Sequence, residues 1–281
     1  MAGFFGLFNY EKEGPGISKN APKKKTFIVF FETFFRNFWK FIIINLVYCL
    51  ISVPVLTNGL ASAGITNVTR NIARDKHSFG VSDFMDTIKK NWKQVLPAGI
   101  INTIVYLLLV LNVGFYYNTT GIMGSIGLGI VLCMLFIFTV MNYYVWTLCI
   151  TFKFTLKQIY KNSFKFVFIN MKMNLLCFFV ILLIYAANIA IFLLLLPYFY
   201  IVLTFELLLY VLLFPSFRFL LVQFCTFPSI KKYIIDPYYL EHPDEDIDKR
   251  HDLGIEVEKK PVEVPEGETP PEEEPENVFE D

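Results

Sequence analysis

Two apolar stretches decide the fold of this chain: residues 95–117, VLPAGIINTIVYLLLVLNVGFYY, and residues 122–150, IMGSIGLGIVLCMLFIFTVMNYYVWTLCI. Neither stretch contains Asp, Glu, Lys or Arg. As helices rising about 1.5 Å per residue, both are long enough to cross a hydrocarbon core roughly 30 Å thick. Similar apolar runs follow at 174–196 and 199–222, and the whole chain is 55% hydrophobic. The sequence therefore predicts an integral membrane protein and excludes a soluble globular domain.

The positions of the basic residues predict how the chain crosses the membrane. The turns Tyr117–Gly121 and Pro197–Tyr200 contain no Lys or Arg. Because basic residues in short loops stay on the cytoplasmic side, these two turns are expected outside the cell. All 25 Lys and Arg residues lie in four segments, which are 12–40, 70–93, 153–172 and 218–260. We expect the last three of these segments, at least, to face the cytoplasm.

The apolar run that begins at Phe41 has basic residues on both sides, so a single crossing would place one basic group outside. The sequence Ser52-Val53-Pro54-Val55-Leu56-Thr57-Asn58-Gly59 offers a turn, because Pro disfavours helix at the preceding residue and Asn-Gly is a turn signal. We predict a helical hairpin with arms near 34–53 and 56–74. The small residues of the second arm suit close helix packing. Two alternatives stay open: the second arm re-enters without crossing, or the chain crosses five times with an external N-terminus.

The predicted fold class is therefore all-α, a polytopic membrane helix bundle with an N-terminal helical hairpin and amphipathic cytoplasmic helices. We expect a cytoplasmic or interfacial segment at 1–33, the bundle at 34–240 and an acidic tail at 241–281. The tail carries 17 acidic and 4 basic side chains, and it is expected to be disordered because it has few large apolar groups. Both termini are predicted to be cytoplasmic, in the cell membrane. About six helices are expected, near 34–53, 56–74, 95–117, 122–150, 174–196 and 199–222.

Residues 82–93 have the pattern of a short amphipathic helix. Apolar side chains fall on one face, and Lys89, Lys90 and Lys93 follow in its last turns, with Trp92 among them. Such a helix is expected to lie in the membrane interface and to orient the next crossing. Its lysines and Trp92 either contact a partner or only anchor the helix.

A second basic element follows residue 150, where Lys153, Lys157, Lys161 and Lys165 recur every four residues. On a helix, each step of four advances by about 40°, so the four side chains would cover roughly 120° of one face. Phe154, Tyr160, Phe164 and Phe168 are expected beside this stripe. It can contact anionic lipid headgroups, an acidic surface of another protein, or the acidic tail of the chain itself.

Glu206 is the one acidic residue expected at hydrocarbon depth. A charged carboxylate there is costly, so the side chain should face other helices. It is either a functional polar group or a neutral carboxyl that bonds between helices. Asn residues of other helices are candidate partners, namely Asn102, Asn112, Asn142 and Asn188.

The chain lacks the sequence patterns of familiar enzymes and metal sites. It contains no H-E-x-x-H, phosphate-loop or G-x-S-x-G motif and no paired intramembrane carboxylates. The five Cys residues lie in or beside apolar runs, and the His residues are isolated. We therefore expect no catalytic residues, no metal and no cofactor. The expected partner is the lipid bilayer rather than nucleic acid, and the oligomeric state is left open.

Several short motifs resemble the YesL-type bacterial membrane proteins, a family that contains domain of unknown function 624. The motifs are Phe4–Tyr10 with Gly14–Gly16 and Lys23–Lys25, Val53–Gly59, Ser82–Gln94 and Leu156–Asn162. The resemblance covers most of residues 1–240 and implies a genomic setting beside carbohydrate ABC-transporter and glycan-degradation genes. It assigns no site residues.

Three functions are weighed on these grounds. The resemblance and the basic loops favour a non-catalytic accessory or regulatory component associated with carbohydrate uptake, with ABC-transporter subunits as possible partners. The alternative is a small-solute transporter or channel subunit, to which Glu206 would contribute. An intramembrane enzyme is disfavoured because no catalytic motif is found.

Overall fold

The structure is a computed structural model that describes residues 26–241, and this part of the chain consists of helices joined by short turns, without strands. The predicted all-α membrane helix bundle is confirmed. Most of the predicted N-terminal segment and nearly all of the acidic tail lie outside the described residues. The described residues form two units, divided between Ile230 and Lys231.

The helices of the first unit are α1 Thr26–Arg36, α2 Phe38–Ser52, α3 Asn58–Ala73, α4 Val81–Tyr117, α5 Ile122–Thr151, α6 Leu156–Ile169, α7 Met171–Leu194, α8 Phe199–Leu212 and α9 Phe214–Ile230. Short 3₁₀ turns occur at Val55–Thr57 and Leu196–Tyr198. The second unit begins with a π-helical turn, Lys231–Ile235, and continues as α10, Asp236–Glu241.

Three helices of the described chain, α4, α5 and α7, are long and apolar enough to cross a membrane. Two bent pairs raise the number to five if each pair is one span. In the first pair, α1 and α2 meet at 75°; in the second, the segment Leu196–Leu212 and the helix beginning at Phe214 meet at 46°. The protein is thus a multi-pass membrane protein. Six crossing helices were expected; three qualify on their own, those expected near 34–53 and 199–222 qualify only as parts of bent pairs, and α3 does not qualify.

The predicted hairpin is present as α2 and α3, which pack against each other around a turn at residues 53–57. The Thr57 hydroxyl closes the turn by donating to the Pro54 carbonyl at 2.8 Å. Helices of 15 and 16 residues are about 22 and 24 Å long, shorter than a hydrocarbon core of roughly 30 Å. The tip is apolar and exposed at Val53, Val55 and Leu56. Neither α2 nor α3 alone is therefore long enough to span such a core.

Helix α3 lies in the centre of the first unit and packs against α2, α4, α5 and α9. Its small residues are buried, as the small-residue spacing predicted. At Gly59 the backbones of α3 and α4 touch, because a Cβ built on Gly59 would lie 2.6 Å from the Cα of Gly99. The ring of Phe84 packs directly on Gly64 of α3, since a Cβ added to Gly64 would lie 2.7 Å from that ring.

Residues 82–93 do not form a separate interfacial helix, which corrects the sequence prediction. They are the first turns of α4, which runs without interruption for 37 residues, about 56 Å. Pro97 lies inside this helix. The apolar face of the segment is partly buried, with Phe84 fully buried against α3. Packing on α3 therefore holds these turns in line with the crossing helix.

The single helix expected at 199–222 is also wrong, because the structure has α8 and α9 with a break at Leu213. Pro215 follows the break and has no N–H to donate. Asn45 of α2 makes hydrogen bonds to polar groups on both sides of this break. Its amide donates to the Leu212 carbonyl at 2.6 Å and to the Ser216 hydroxyl at 2.9 Å, and it accepts from the Ser216 N–H at 2.8 Å. A buried side chain of another helix thus supplies the hydrogen bonds that a broken helix needs at membrane depth.

Candidate functional site

The lysine stripe lies on and just before α6, an amphipathic helix with a defined start. Thr155 caps it, since its hydroxyl accepts from the Gln158 N–H at 3.4 Å and its own N–H donates to the Gln158 side chain at 2.8 Å. Ile159 and Phe166 are buried on one face. Lys157, Lys161 and Lys165 are exposed on the helix, whereas Lys153 is exposed in the link before it. The four-residue helical period therefore holds for three of the four lysines.

The aromatic side chains predicted beside the stripe divide into two sets. Phe164 and Phe168 are exposed and contact each other, with ring centroids 5.3 Å apart. Tyr160 turns inward, where its hydroxyl proton is shared between the Asn102 side-chain oxygen at 2.9 Å and the Ala98 carbonyl at 3.2 Å. Burial raises the pKa of Tyr160, so this hydroxyl stays a neutral donor. Exposed Phe and Lys together are typical of a helix at the headgroup level.

The bonds of Tyr160 join α6 to the middle of α4, at Ala98 and Asn102. Gln94 adds a second link between the same regions by donating to the Phe154 carbonyl. The lysines of α4 therefore lie on the same end of the bundle as those of α6. All seven are exposed, and we call them the lysine surface: Lys89, Lys90, Lys93, Lys153, Lys157, Lys161 and Lys165. Trp92, also predicted as a contact residue, is 49% exposed beside them.

Glu206 lies on α8 and lines a cavity of about 240 Å³ between α7 and α8. Of the four Asn residues considered as partners, only Asn188 lines the same cavity. Its amide donates to the Ile184 carbonyl at 2.7 Å, which leaves its side-chain oxygen able to accept. Tyr185 and Tyr210 complete the polar part of the wall. Within residues 26–241, no hydrogen bond or ion pair to Glu206 is found.

A second polar cavity was missed by the sequence analysis, which placed Arg218 in a basic cytoplasmic segment. The structure places Arg218 on α9, where it lines a cavity of about 60 Å³ between α3, α4, α5 and α9. Tyr106, Thr139 and Asn142 contribute polar groups to the wall. One signal in the sequence could have pointed to it, because Arg218 stands alone in an apolar run that extends from Leu207 to Thr226.

A hydrogen-bonded cluster joins α5, α6, α7 and α9 near the lysine surface. The Tyr144 hydroxyl donates to Asn174 at 2.7 Å and accepts from Asn170 at 3.0 Å. Asn174 donates to the Phe166 carbonyl at 2.9 Å, and Asn170 donates to the Cys225 carbonyl at 3.1 Å. The Tyr144 hydroxyl and both side-chain NH2 groups are paired, which indicates a structural role.

Within residues 26–241, no group of three or more His, Cys, Asp or Glu side chains is placed to hold a metal ion. The cysteines of this part of the chain are free thiols. The candidate sites are thus one basic surface and two intramembrane cavities, and their chemistry is binding by charge and by hydrogen bonds.

Residues 41–113 match the family described as "Protein of unknown function, DUF624". The matched segment covers most of α2, all of α3 and nearly all of α4, including the Gly59–Gly99 contact. This part of the chain is similar to that family, whose function is unknown. No curated protein and no solved structure matches the chain.

Proposed function

We propose that the protein is a non-catalytic accessory or regulatory component of a membrane assembly for carbohydrate uptake. Its partner would be a transmembrane subunit of a carbohydrate ABC transporter, contacted through the lysine surface. The protein would reside in the cell membrane with the lysine surface on the cytoplasmic side, as the distribution of basic residues favours.

The observation that carries this proposal is the lysine surface itself. Seven exposed lysines from two parts of the chain are held on one end of the bundle by the bonds of Gln94 and Tyr160 to neighbouring helices. Positive potential concentrated on a rigid support guides and orients a partner with an acidic surface. Anionic headgroups would bind the same surface, so lipid and protein partners would share it.

The sugar-uptake setting rests on the resemblance to the YesL family. The match of residues 41–113 supports similarity to the wider family, domain of unknown function 624. The narrower family and the transporter partner remain parts of the proposal.

The test is co-purification from sugar-grown cells in mild detergent after brief crosslinking. The wild-type chain is expected to recover transporter subunits, and a variant with Lys157, Lys161 and Lys165 all changed to Glu should recover far less. The control changes Asn118 and Thr120 to Asp, which adds negative charge at exposed positions in the turn just beyond the opposite end of α4. Failure of the wild-type chain to recover any transporter subunit would overturn the proposal.

The Glu206 cavity favours a second candidate, a small-solute transporter or channel subunit. A carboxyl beside Asn188 in a cavity of about 240 Å³ could bind a polar solute or pass a proton. Flux measured in proteoliposomes is expected to require Glu206 and to be abolished by Glu206→Gln. Flux that is unchanged in Glu206→Gln, or absent from the wild-type protein, would exclude this function for the cavity.

A further inference from the structure

The Arg218 cavity lies at membrane depth. Thr139 is twelve residues from the end of α5 at Thr151, about 18 Å along the helix, and Tyr106 is eleven residues from the opposite end of α4, about 16 Å. Both helices qualify as membrane spans. A guanidinium at this depth is costly unless a negative charge or several acceptors compensate it.

Within residues 26–230, the structure gives Arg218 no such compensation. No carboxylate lines the cavity, and no hydrogen bond or ion pair to Arg218 is found in this unit. The ring of Phe219, its neighbour in the sequence, lies with its centroid 4.7 Å from the guanidinium carbon, and the hydroxyl-bearing rings of Tyr48, Tyr106, Tyr185 and Tyr210 also interact with its charge. Glu206, twelve residues earlier in the chain, lines the other cavity.

The wall also carries hydroxyl and indole groups that can donate hydrogen bonds, together with the side-chain amides of Asn142 and Gln223. The Tyr143 hydroxyl and the Trp146 indole N–H have no hydrogen-bond partner among residues 26–230, although both side chains are largely buried. The Tyr106 hydroxyl reaches Thr139 only at 3.4 Å, a weak contact. A cation that shares a cavity with two unused donors, in a wall without a carboxylate, suits the binding of an anion.

We propose that this cavity binds a small monovalent anion, with Arg218 as its counter-charge and Tyr143, Trp146 and Thr139 as hydrogen-bond donors. The cavity volume of about 60 Å³ fits a halide or a carboxylate group of formate size. It is also large enough to hold water. The inference is independent of the proposed partner, because anion binding needs only the first unit.

The fluorescence of Trp146 offers a direct test. The chain has three tryptophans, and the other two, Trp39 and Trp92, are 78% and 49% exposed. A variant with Trp39→Phe and Trp92→Phe keeps Trp146 as the sole reporter. It is purified in neutral detergent, and gluconate is replaced stepwise by bromide at constant ionic strength. Bromide quenches a nearby indole, so binding in the cavity should give saturable quenching.

In this background, Arg218→Gln is expected to weaken bromide binding by about tenfold or more, since a charged donor is lost. Arg218→Lys should retain more of it, and Lys165→Gln, on the exposed face of α6, should not change it. Linear quenching that is equal with and without Arg218, or no quenching at all, would overturn the proposal.

Two further experiments cover the cases in which Arg218→Gln does not fold and in which the bound anion is a lipid headgroup. If Arg218→Gln does not fold by size exclusion and circular dichroism, Thr139→Val keeps the charge and should weaken binding several-fold. Unchanged binding in that variant would count against the site.

Phosphatidylglycerol is added in a separate titration. If it alters Trp146 fluorescence and bromide does not, the guanidinium serves a lipid headgroup and the free-anion proposal is wrong.

Discussion

The Gly59–Gly99 contact allows a quantitative test of how α3 is held against α4. A Cβ added to Gly99 would lie 2.7 Å from the Cα of Gly59 and 3.0 Å from its nitrogen. Carbon atoms in contact normally lie about 3.5–4.0 Å apart, so the two helices would have to separate by about 1 Å. Because the obstructing atoms belong to the backbone, no side-chain rotation can relieve the clash.

The expected cost of Gly99→Ala follows from two opposing effects. Overpacking against a rigid neighbour destabilises by about 1–3 kcal/mol, and the backbone clash places this site in the upper part of that range. Replacing Gly by Ala inside a helix stabilises by up to about 1 kcal/mol. We therefore expect a net loss of about 1–2 kcal/mol in the free energy of unfolding.

Gly114 provides the matched control, because it lies in the same helix and a Cβ there would meet nothing within 4 Å. Gly114→Ala should leave stability unchanged or raise it by up to about 1 kcal/mol. The assay is reversible unfolding in mixed micelles titrated with sodium dodecyl sulfate and followed by circular dichroism. If Gly99→Ala and Gly114→Ala shift the transition equally, the close approach of α3 and α4 is refuted.

Three other predictions concern the broken helix, the start of α6 and the topology. Asn45→Ala removes three hydrogen bonds at the α8–α9 break and is expected to destabilise by about 2–3 kcal/mol in the same unfolding assay. Asn112→Ala, which loses only a bond within its own helix, should have little effect, and equal shifts would contradict the role of Asn45. Thr155→Ala removes the cap of α6 and should cost about 1 kcal/mol, with Thr155→Ser restoring most of it; an unchanged transition would argue against the capping box. Cysteines placed singly at Lys24 and Lys89 should be labelled from the same side by a membrane-impermeant reagent, and labelling from opposite sides would rule out the hairpin.

The basic outline of the bundle was predictable because its signals are local. The turn at Pro54, the small residues of α3 and the long apolar runs are each contained in one short stretch of sequence. Composition sets whether such a stretch can cross a bilayer, and the turn residues set where it reverses. These predictions agree with α2, α3, α5 and α7.

Two helix predictions failed where packing overrode a local signal. The change from amphipathic to apolar pattern near Lys93 suggested two helices, but burial of Phe84 on α3 keeps α4 continuous. The run 199–222 suggested one helix, but Pro215 and the side chain of Asn45 permit a break. In both cases the deciding contact comes from another helix.

The sequence by itself determined that this is an all-α membrane protein, that its basic residues gather in a few segments, and that Glu206 is an exceptional carboxyl in an apolar run. Only the tertiary structure decided that Arg218 faces an interior cavity and that Asn188 is the amide beside Glu206. Hydropathy and charge are properties of neighbouring residues along the chain. A cavity is formed by residues far apart in sequence, as Arg218 and Thr66 are, and their meeting depends on how whole helices pack.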